Sequence, residues 1–325
     1  MPDELTTRLG RLAALQAGII TRQQALRLGF SSDAIRQRLE RGRWQRIHRG
    51  VYACFSGPAG DRALIWAAVL FAGPGGALSH QTAAYLDGLA GCERGPIHVS
   101  VPAARHVSAA RGLVIHRASR VVAATHPARR PPRTRIEETV LDLTQASPTF
   151  DEAFGWLSLA CAERLTTPAR IEQAMAARGK VRWRADLSGA LTLVADGAHS
   201  PLEYRYIRDV ERPHGLPRAQ RQARTQRDGH NEYRDNFYPD YGLAVETDGA
   251  AAHPDSARWR DIARDNAAAA AGIVTLRYSW ADVTTRPCEV AAEVGAVLRI
   301  RGWTGWPVSC RPACPVQPAP RTAGA

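Results

Sequence analysis

Lysine is almost missing from this chain of 325 residues: of its 43 basic residues, only Lys180 is not arginine. Ala, Gly and Pro are abundant beside it, a pattern that reads as coding bias. Total arginine is therefore weaker evidence of function than the places where arginine clusters. Cysteine is sparse, at Cys54, Cys92, Cys161, Cys288, Cys310 and Cys314, and the first four make no metal-ligand spacing. Cys310 and Cys314 are close, but no histidine or second cysteine pair accompanies them in sequence, so no zinc site is expected. The start, MPDELTTRLG, lacks a basic segment followed by an apolar core, and no secretory signal is read there. The longest apolar run, Ala63 to Ala72, falls far short of the roughly 20 residues that span a bilayer. A soluble, cytoplasmic protein with no membrane partner is expected. No internal repeat is found.

What is present is positive charge, a formal net +12, beside an ordinary hydrophobic content of 45%. The length suggests two or three domains with sizeable cores. The charge points to a polyanion, nucleic acid before membrane surface.

Leu5, Leu9, Leu12 and Leu15 recur at helical spacing. After them Thr21 caps a short helix that stops at Gly29, and Ser31 or Ser32 caps a second, with Asp33 in its first turn. Gly42 ends that helix, and Trp44 to Tyr52 alternates as a hairpin with its turn near His48–Gly50. This order, over residues 1–60, is that of a winged helix-turn-helix. Ile35 and Leu39 face its core. Arg36, Gln37, Arg38 and Arg41 are left outward on the recognition helix, and Arg43, Arg46 and Arg49 follow in the wing. These six arginines are the expected contacts to double-stranded DNA, against the alternative of a solvated basic face.

Residues 61–195 read as an α/β middle region. IHVSVP and GLVIHRAS alternate as strands, and TRIEETVLDLTQAS and FDEAFGWLSLACAERL read as helices. His80, His98 and His116 are separated in sequence, and no metal site is expected of them. Residues 196–302 follow the order α-β-β-β-α-β-α, and residues 303–325 form an irregular Pro-rich tail.

The stretch YRDNFYPDYGLAVETDG gathers four carboxylates on one hairpin of a basic chain. If Pro239–Gly242 form its turn, Asp235 lies across from Glu246, and Asp248 shares that face. Asp240 is a turn residue. Like charges facing each other destabilise a hairpin, so a positive group is expected between them. A hard divalent cation, Mg²⁺ or Mn²⁺, is the simplest candidate for Asp235, Glu246 and Asp248. The alternative is solvation or pairing with arginine. Glu203 stands either as part of the cap Ser200-Pro201-Leu202-Glu203 or as a site residue leaning over the sheet. His253 is of the type that moves protons near neutral pH. Arg218, Arg221, Arg224 and Arg227 line the first strand, placed to hold backbone phosphates.

RDNFYPDYGLAVETDG, then AHP, RDIARDN and GIVTLRYSWADV, resemble the very-short-patch-repair-like branch of the PD-(D/E)xK restriction-endonuclease superfamily, over about residues 198–300. The resemblance implies a restriction-endonuclease-like fold and metal-dependent hydrolysis of DNA phosphodiesters. It makes Asp235 the metal-binding hairpin aspartate and Glu203 the helical acid. Glu246 and Asp248 stand on the strand that carries (D/E)xK, and His253 matches a histidine of the repair enzymes. The usual lysine is Asp248 here, so a second metal or His253 would have to do its work. The first part, with GGALSHQTAAYLDGL, IHVSVP and ETVLDL, resembles AbiEi-like antitoxins of type IV toxin–antitoxin systems. That resemblance implies DNA binding for transcriptional control and a cognate toxin as partner. Two readings therefore stand: a DNA-binding metal-dependent endonuclease, or a non-catalytic antitoxin-like repressor.

Overall fold

The structure is a computed structural model that describes residues 4–92, 95–195, 200–227, 230–248 and 266–316. Two compact units form: residues 1–148 with 159–182, and residues 149–158 with 183–325.

The first unit opens with α1 (Glu4–Leu15), β1 (Ile19–Thr21), α2 (Arg22–Arg27), α3 (Ser32–Glu40), β2 (Gln45–His48) and β3 (Val51–Ala53). Local chemistry sets each boundary. The Thr21 hydroxyl accepts from the Gln24 backbone N–H at 3.0 Å, and the Gln24 side chain accepts from the Thr21 N–H at 2.8 Å. That reciprocal cap satisfies two N–H groups that a helix start leaves open. Ser31 caps α3 through the Ala34 N–H at 3.1 Å. The turn between the helices needs the left-handed backbone of Gly29, φ 102°. The three strands pair antiparallel in the order β1-β3-β2. Their alternation gives the small sheet two apolar faces. Ile20 and Tyr52 join Leu9, Ala25, Phe30, Ile35 and Trp44 in one core, while Ile19, Val51 and Ala53 pack on the next helix.

That helix is α4 (Asp61–Ala72), followed by β4 (Ala77–Leu78), α5 (His80–Asp87), β5 (Ile97–Pro102), β6 (Leu113–Ala118), α6 (Val121–Ala124) and α7 (Ile136–Ala146). β5 and β6 run parallel, with β4 antiparallel on the other edge of β5. After α8 (Phe150–Ala162), α9 (Pro168–Ala176) closes the unit. Arg178 follows it and reaches two acids of α7, the buried Glu138 at 2.6 Å and the half-buried Asp142 at 2.8 Å.

The second unit takes the first part of α8, then α10 (Arg184–Ala195) and α11 (Pro201–Arg205) with a π-helical turn, Tyr206–Glu211. The sequence pattern had grouped α10 with the middle region. Next come β7 (Gln220–Arg227), β8 (His230–Tyr238), a tight turn Pro239–Tyr241, β9 (Leu243–Asp248), β10 (Val274–Ser279), α12 (Trp280–Thr285) and α13 (Pro287–Ile300). The sheet order is β10-β9-β8-β7, and β10 is parallel to β9. Asn236 pairs with Val245 and Tyr238 with Leu243, the register the hairpin pattern requires. β9 is paired on both edges, and both of its faces are covered as well: Leu243, Ala244 and Val245 are fully buried. Leu243 and Val245 sit in a core with Leu202, Tyr206, Tyr238 and Val294. The described residues after α13, 301–316, have no helix or strand, yet Val316 lies in that same core.

Candidate functional site

α3, the turn that follows it and the β2–β3 hairpin carry the six arginines expected at DNA, and the structure sorts them. Arg41, Arg43, Arg46 and Arg49 are exposed, and no carboxylate among the described residues pairs with them. Arg36 is exposed but tied along its own helix, 2.7 Å from Asp33 and 3.8 Å from Glu40. Exposed pairs of this kind are worth about 0–1 kcal/mol, so exchange for a phosphate costs little. Arg38 folds back: its guanidinium lies 4.7 Å from the Phe30 ring centre and 5.7 Å from that of Trp44, and it donates to the Ala34 carbonyl. It holds the base of α3 against the hairpin and does not point outward as the helical pattern suggested.

Sequence reasoning missed a cleft of about 1100 Å³ in the same unit, lined by Arg22, Arg27, Arg49, Arg105, Arg130 and Arg135 and by no acidic residue. Arg49 at the hairpin turn joins the two basic surfaces. Only the fold brings these arginines together.

In the second unit the carboxylates are arranged by β7, β8 and α11. The Ser200 hydroxyl accepts from the Glu203 N–H at 3.0 Å, so the cap is real. The Glu203 side chain is buried and turned to the sheet, where its carboxylate accepts from the Gln222 amide at 3.0 Å. The same amide donates to Asp235 at 3.3 Å. Cap and site were alternatives in the sequence; Glu203 serves the helix with its backbone and the cluster with its side chain. Asp235 also accepts from the Thr247 N–H at 2.9 Å and hydroxyl at 3.2 Å. Gln222 was not singled out in the sequence. Its φ of 46° is rare for a non-glycine residue, and such strain gathers at functional sites. Glu246 is buried on β9, in parallel register with Arg277 of β10. Asp248 ends β9 with its side chain outside the described part, and His253 lies outside the described residues. Asp240 is exposed in the turn, as expected.

Arg221 departs from the sequence expectation. It is buried against Glu211 and reaches Asn236, so it is structural and unavailable to phosphate. Arg218 and Arg224 are exposed, and the side chain of Arg227 lies outside the described part.

The three separated histidines also meet. β5 and β6 bring His98 Nδ1 to 3.0 Å from His116 Nε2, and His80 at the start of α5 stacks on His116 with ring centres 3.7 Å apart. Burial, then His116, His98 and Arg178, push His80 down to about 3; burial and His98 push His116 down to about 4. Both are neutral in the fold near neutral pH. The unfolded His80 titrates at its ordinary 6.5, so its share of stability is full above about 6.5 and is lost as pH falls through the window down to about 3. In urea unfolding, wild type should lose up to about 1.4 kcal/mol per pH unit more than His80→Gln between about pH 6 and pH 4. Parallel stability curves for the two proteins would refute this.

Among known proteins, a family profile described as transcriptional regulator, AbiEi antitoxin, matches residues 8–53. The match spans the helices and hairpin that carry the exposed arginines. A crystal structure of the RV2827C protein from Mycobacterium tuberculosis is similar at 16% identity and a TM-score of 0.38, covering 62% of this chain and 80% of that chain. A search of curated proteins finds no match. Among the described residues, no helix is long and apolar enough to cross a membrane.

Proposed function

We propose that this protein binds duplex DNA through residues 4–53, folded as a winged helix-turn-helix, and acts as a transcriptional regulator of the antitoxin type. One observation carries the reading: the segment similar to the AbiEi antitoxin family presents Arg41, Arg43, Arg46 and Arg49 exposed and without an acidic partner among the described residues. α3 is the helix that enters the major groove, and the β2–β3 wing lies along the backbone. The arginines bind phosphates, which positions the protein, while Gln37 and Arg36 on the open face of α3 are placed to read base edges. The basic cleft extends the positive surface beyond α3 and the wing. The antitoxin reading implies a cognate toxin as a second partner.

The test is the salt dependence of binding to a fluorescent duplex by the full chain. Changing Arg41, Arg43, Arg46 and Arg49 together to alanine should reduce the slope of log affinity against log salt by about three to four, near 0.9 for each phosphate that is no longer neutralised. Equal slopes in both proteins would end this reading.

The gathering of Glu203, Gln222 and Asp235, with Glu246 buried on the neighbouring strand β9, favours a second activity, hydrolysis of DNA phosphodiesters by a restriction-endonuclease-like second unit. The antiparallel β7-β8-β9 order and the parallel last strand β10 support it. The oxygen donors suit a hard divalent cation, Mg²⁺ or Mn²⁺. Glu203, Asp235 and Glu246 would hold it, with Asp248 supplementing them and His253 as proton donor to the leaving oxygen. A bound ion would act as a Lewis acid and activate water. Asp235 is held by Thr247 and Gln222, which fixes its carboxylate for that task. Cleavage of supercoiled plasmid with Mg²⁺ or Mn²⁺ should disappear in Asp235→Asn, and background cleavage in both proteins would remove this activity and leave the regulator.

A further inference from the structure

We propose that His214, Cys288, Cys310 and Cys314 form a structural zinc site that fastens the C-terminal segment to the second unit. The four side chains come from three distant places: the turn after the π-helical segment, the start of α13, and a loop in which the Cys314 N–H closes on the Arg311 carbonyl at 3.0 Å. Their ligand atoms all lie within 4.8 Å of one another. Cys288 Sγ is 3.6 Å from Cys310 Sγ, and Cys314 Sγ is 3.5 Å from His214 Nε2.

The Cys288–Cys310 and Cys314–His214 separations match two edges of a zinc tetrahedron. Zinc binds sulfur at about 2.3 Å and nitrogen at about 2.0–2.1 Å, so tetrahedral angles set the S···S edge at about 3.8 Å and the S···N edge at about 3.5 Å. The site needs only small adjustments to close on an ion. The spacing leaves room for one ion and not for a polynuclear cluster. It is also far from the roughly 2.05 Å of a disulfide, and all six cysteines are free.

The outer groups fit as well. His214 is fully buried, and its Nδ1 lies 2.8 Å from the Val210 carbonyl. A carbonyl can only accept, so Nδ1 carries the proton and Nε2 presents its lone pair to the thiols. Metal-bound histidines are oriented by such a bond. With four protein ligands and no open position, the site is structural, not catalytic.

Among its described residues, 301–316, the segment it fastens has no helix or strand. It is held by the Val308 N–H on the His214 carbonyl at 2.8 Å, by the Ser309 hydroxyl on the Val316 carbonyl at 2.7 Å, and by Val316 in the core. A metal crosslink between His214, α13 and this segment explains why a Pro-rich stretch stays packed.

Zinc content and a cobalt spectrum of the purified full-length protein test the proposal. Wild type should carry about one zinc equivalent more than a variant with Cys310→Ser and Cys314→Ser. Exchange with Co²⁺ should give the visible bands of a tetrahedral site and a thiolate-to-cobalt charge-transfer band. Those bands should persist in Cys54→Ser, which lies outside the cluster, and in His116→Ala, which breaks the other histidine group. The wild-type spectrum reads the site directly, whether or not the cysteine variant folds. Absence of the charge-transfer band in wild type, or a Cys288–Cys310 disulfide in unreduced peptides, would overturn the proposal.

Discussion

Replacing Arg221 with methionine should destabilise the protein by about 3–5 kcal/mol, the cost of leaving a buried charge without its partner. The Arg221 side chain is 6% exposed and that of Glu211 is 4%. Glu211 accepts from the Ala219 N–H and from the Tyr238 hydroxyl, each at 3.2 Å, and the Tyr206 and Tyr238 hydroxyls lie 2.9 Å apart. Burial pushes both phenols well up, so they remain protonated donors. Arg221 also reaches Asn236, whose amide donates to the Val245 carbonyl at 3.2 Å. The network thus joins the π-helical turn to β7, β8 and β9. Methionine fills the space but leaves the carboxylate with two neutral donors and no cation. Adding Glu211→Gln to Arg221→Met should recover a large part of the loss, because the remaining group is then neutral. Denaturant unfolding of the three variants measures this. A cost of less than about 1 kcal/mol for the single change would mean that the pair is solvated.

Phe154→Ala should cost about 3–5 kcal/mol, as deletion of a fully buried aromatic ring does. Phe154 has no exposed surface, and its ring centre lies 5.0 Å from that of Tyr204 on α11. One turn earlier Phe150 also meets Tyr204, at 5.4 Å, and the Asp151 carboxylate takes two hydrogen bonds from Arg205, each 3.0 Å. The first part of α8 is therefore bound into the second unit by tilted ring contacts and a two-pronged ion pair. The loss should appear as faster amide exchange in α11 and β8. Exchange confined to α9 would contradict that assignment.

The short-range features were legible in the sequence. Thr21 and Ser31 announce α2 and α3 because a hydroxyl at those places accepts a helix N–H whatever surrounds it. The turn Pro239–Gly242 fixes the pairing of Asn236 with Val245, since period-two geometry leaves no freedom once a turn is set. What depended on distant pairing was hidden. β9 reads as half-buried from its own residues, yet β10 pairs with its outer edge and α11 packs on it, both from distant parts of the chain. Arg221 has the look of a surface arginine until Glu211 is brought beside it. His80, His98 and His116 stand 18 positions apart, too far for a ligand motif to be seen, and the parallel pairing of β5 with β6 is what brings two of them together. His214 stands 74 positions before Cys288, too far for a ligand motif to be seen. Gln222 gave no signal, because nothing in its neighbours betrays a left-handed backbone.

The docking of duplex DNA on α3 and the wing is tested most directly by photocrosslinking. A benzophenone amino acid placed at Arg46 or Arg41 in the full chain should crosslink to duplex DNA on irradiation. The same group at Ile300, 85% exposed on α13, should not. No crosslinks from positions 41 and 46 in variants that still bind DNA, with or without crosslinks from position 300, would place the nucleic acid elsewhere and contradict the winged-helix account.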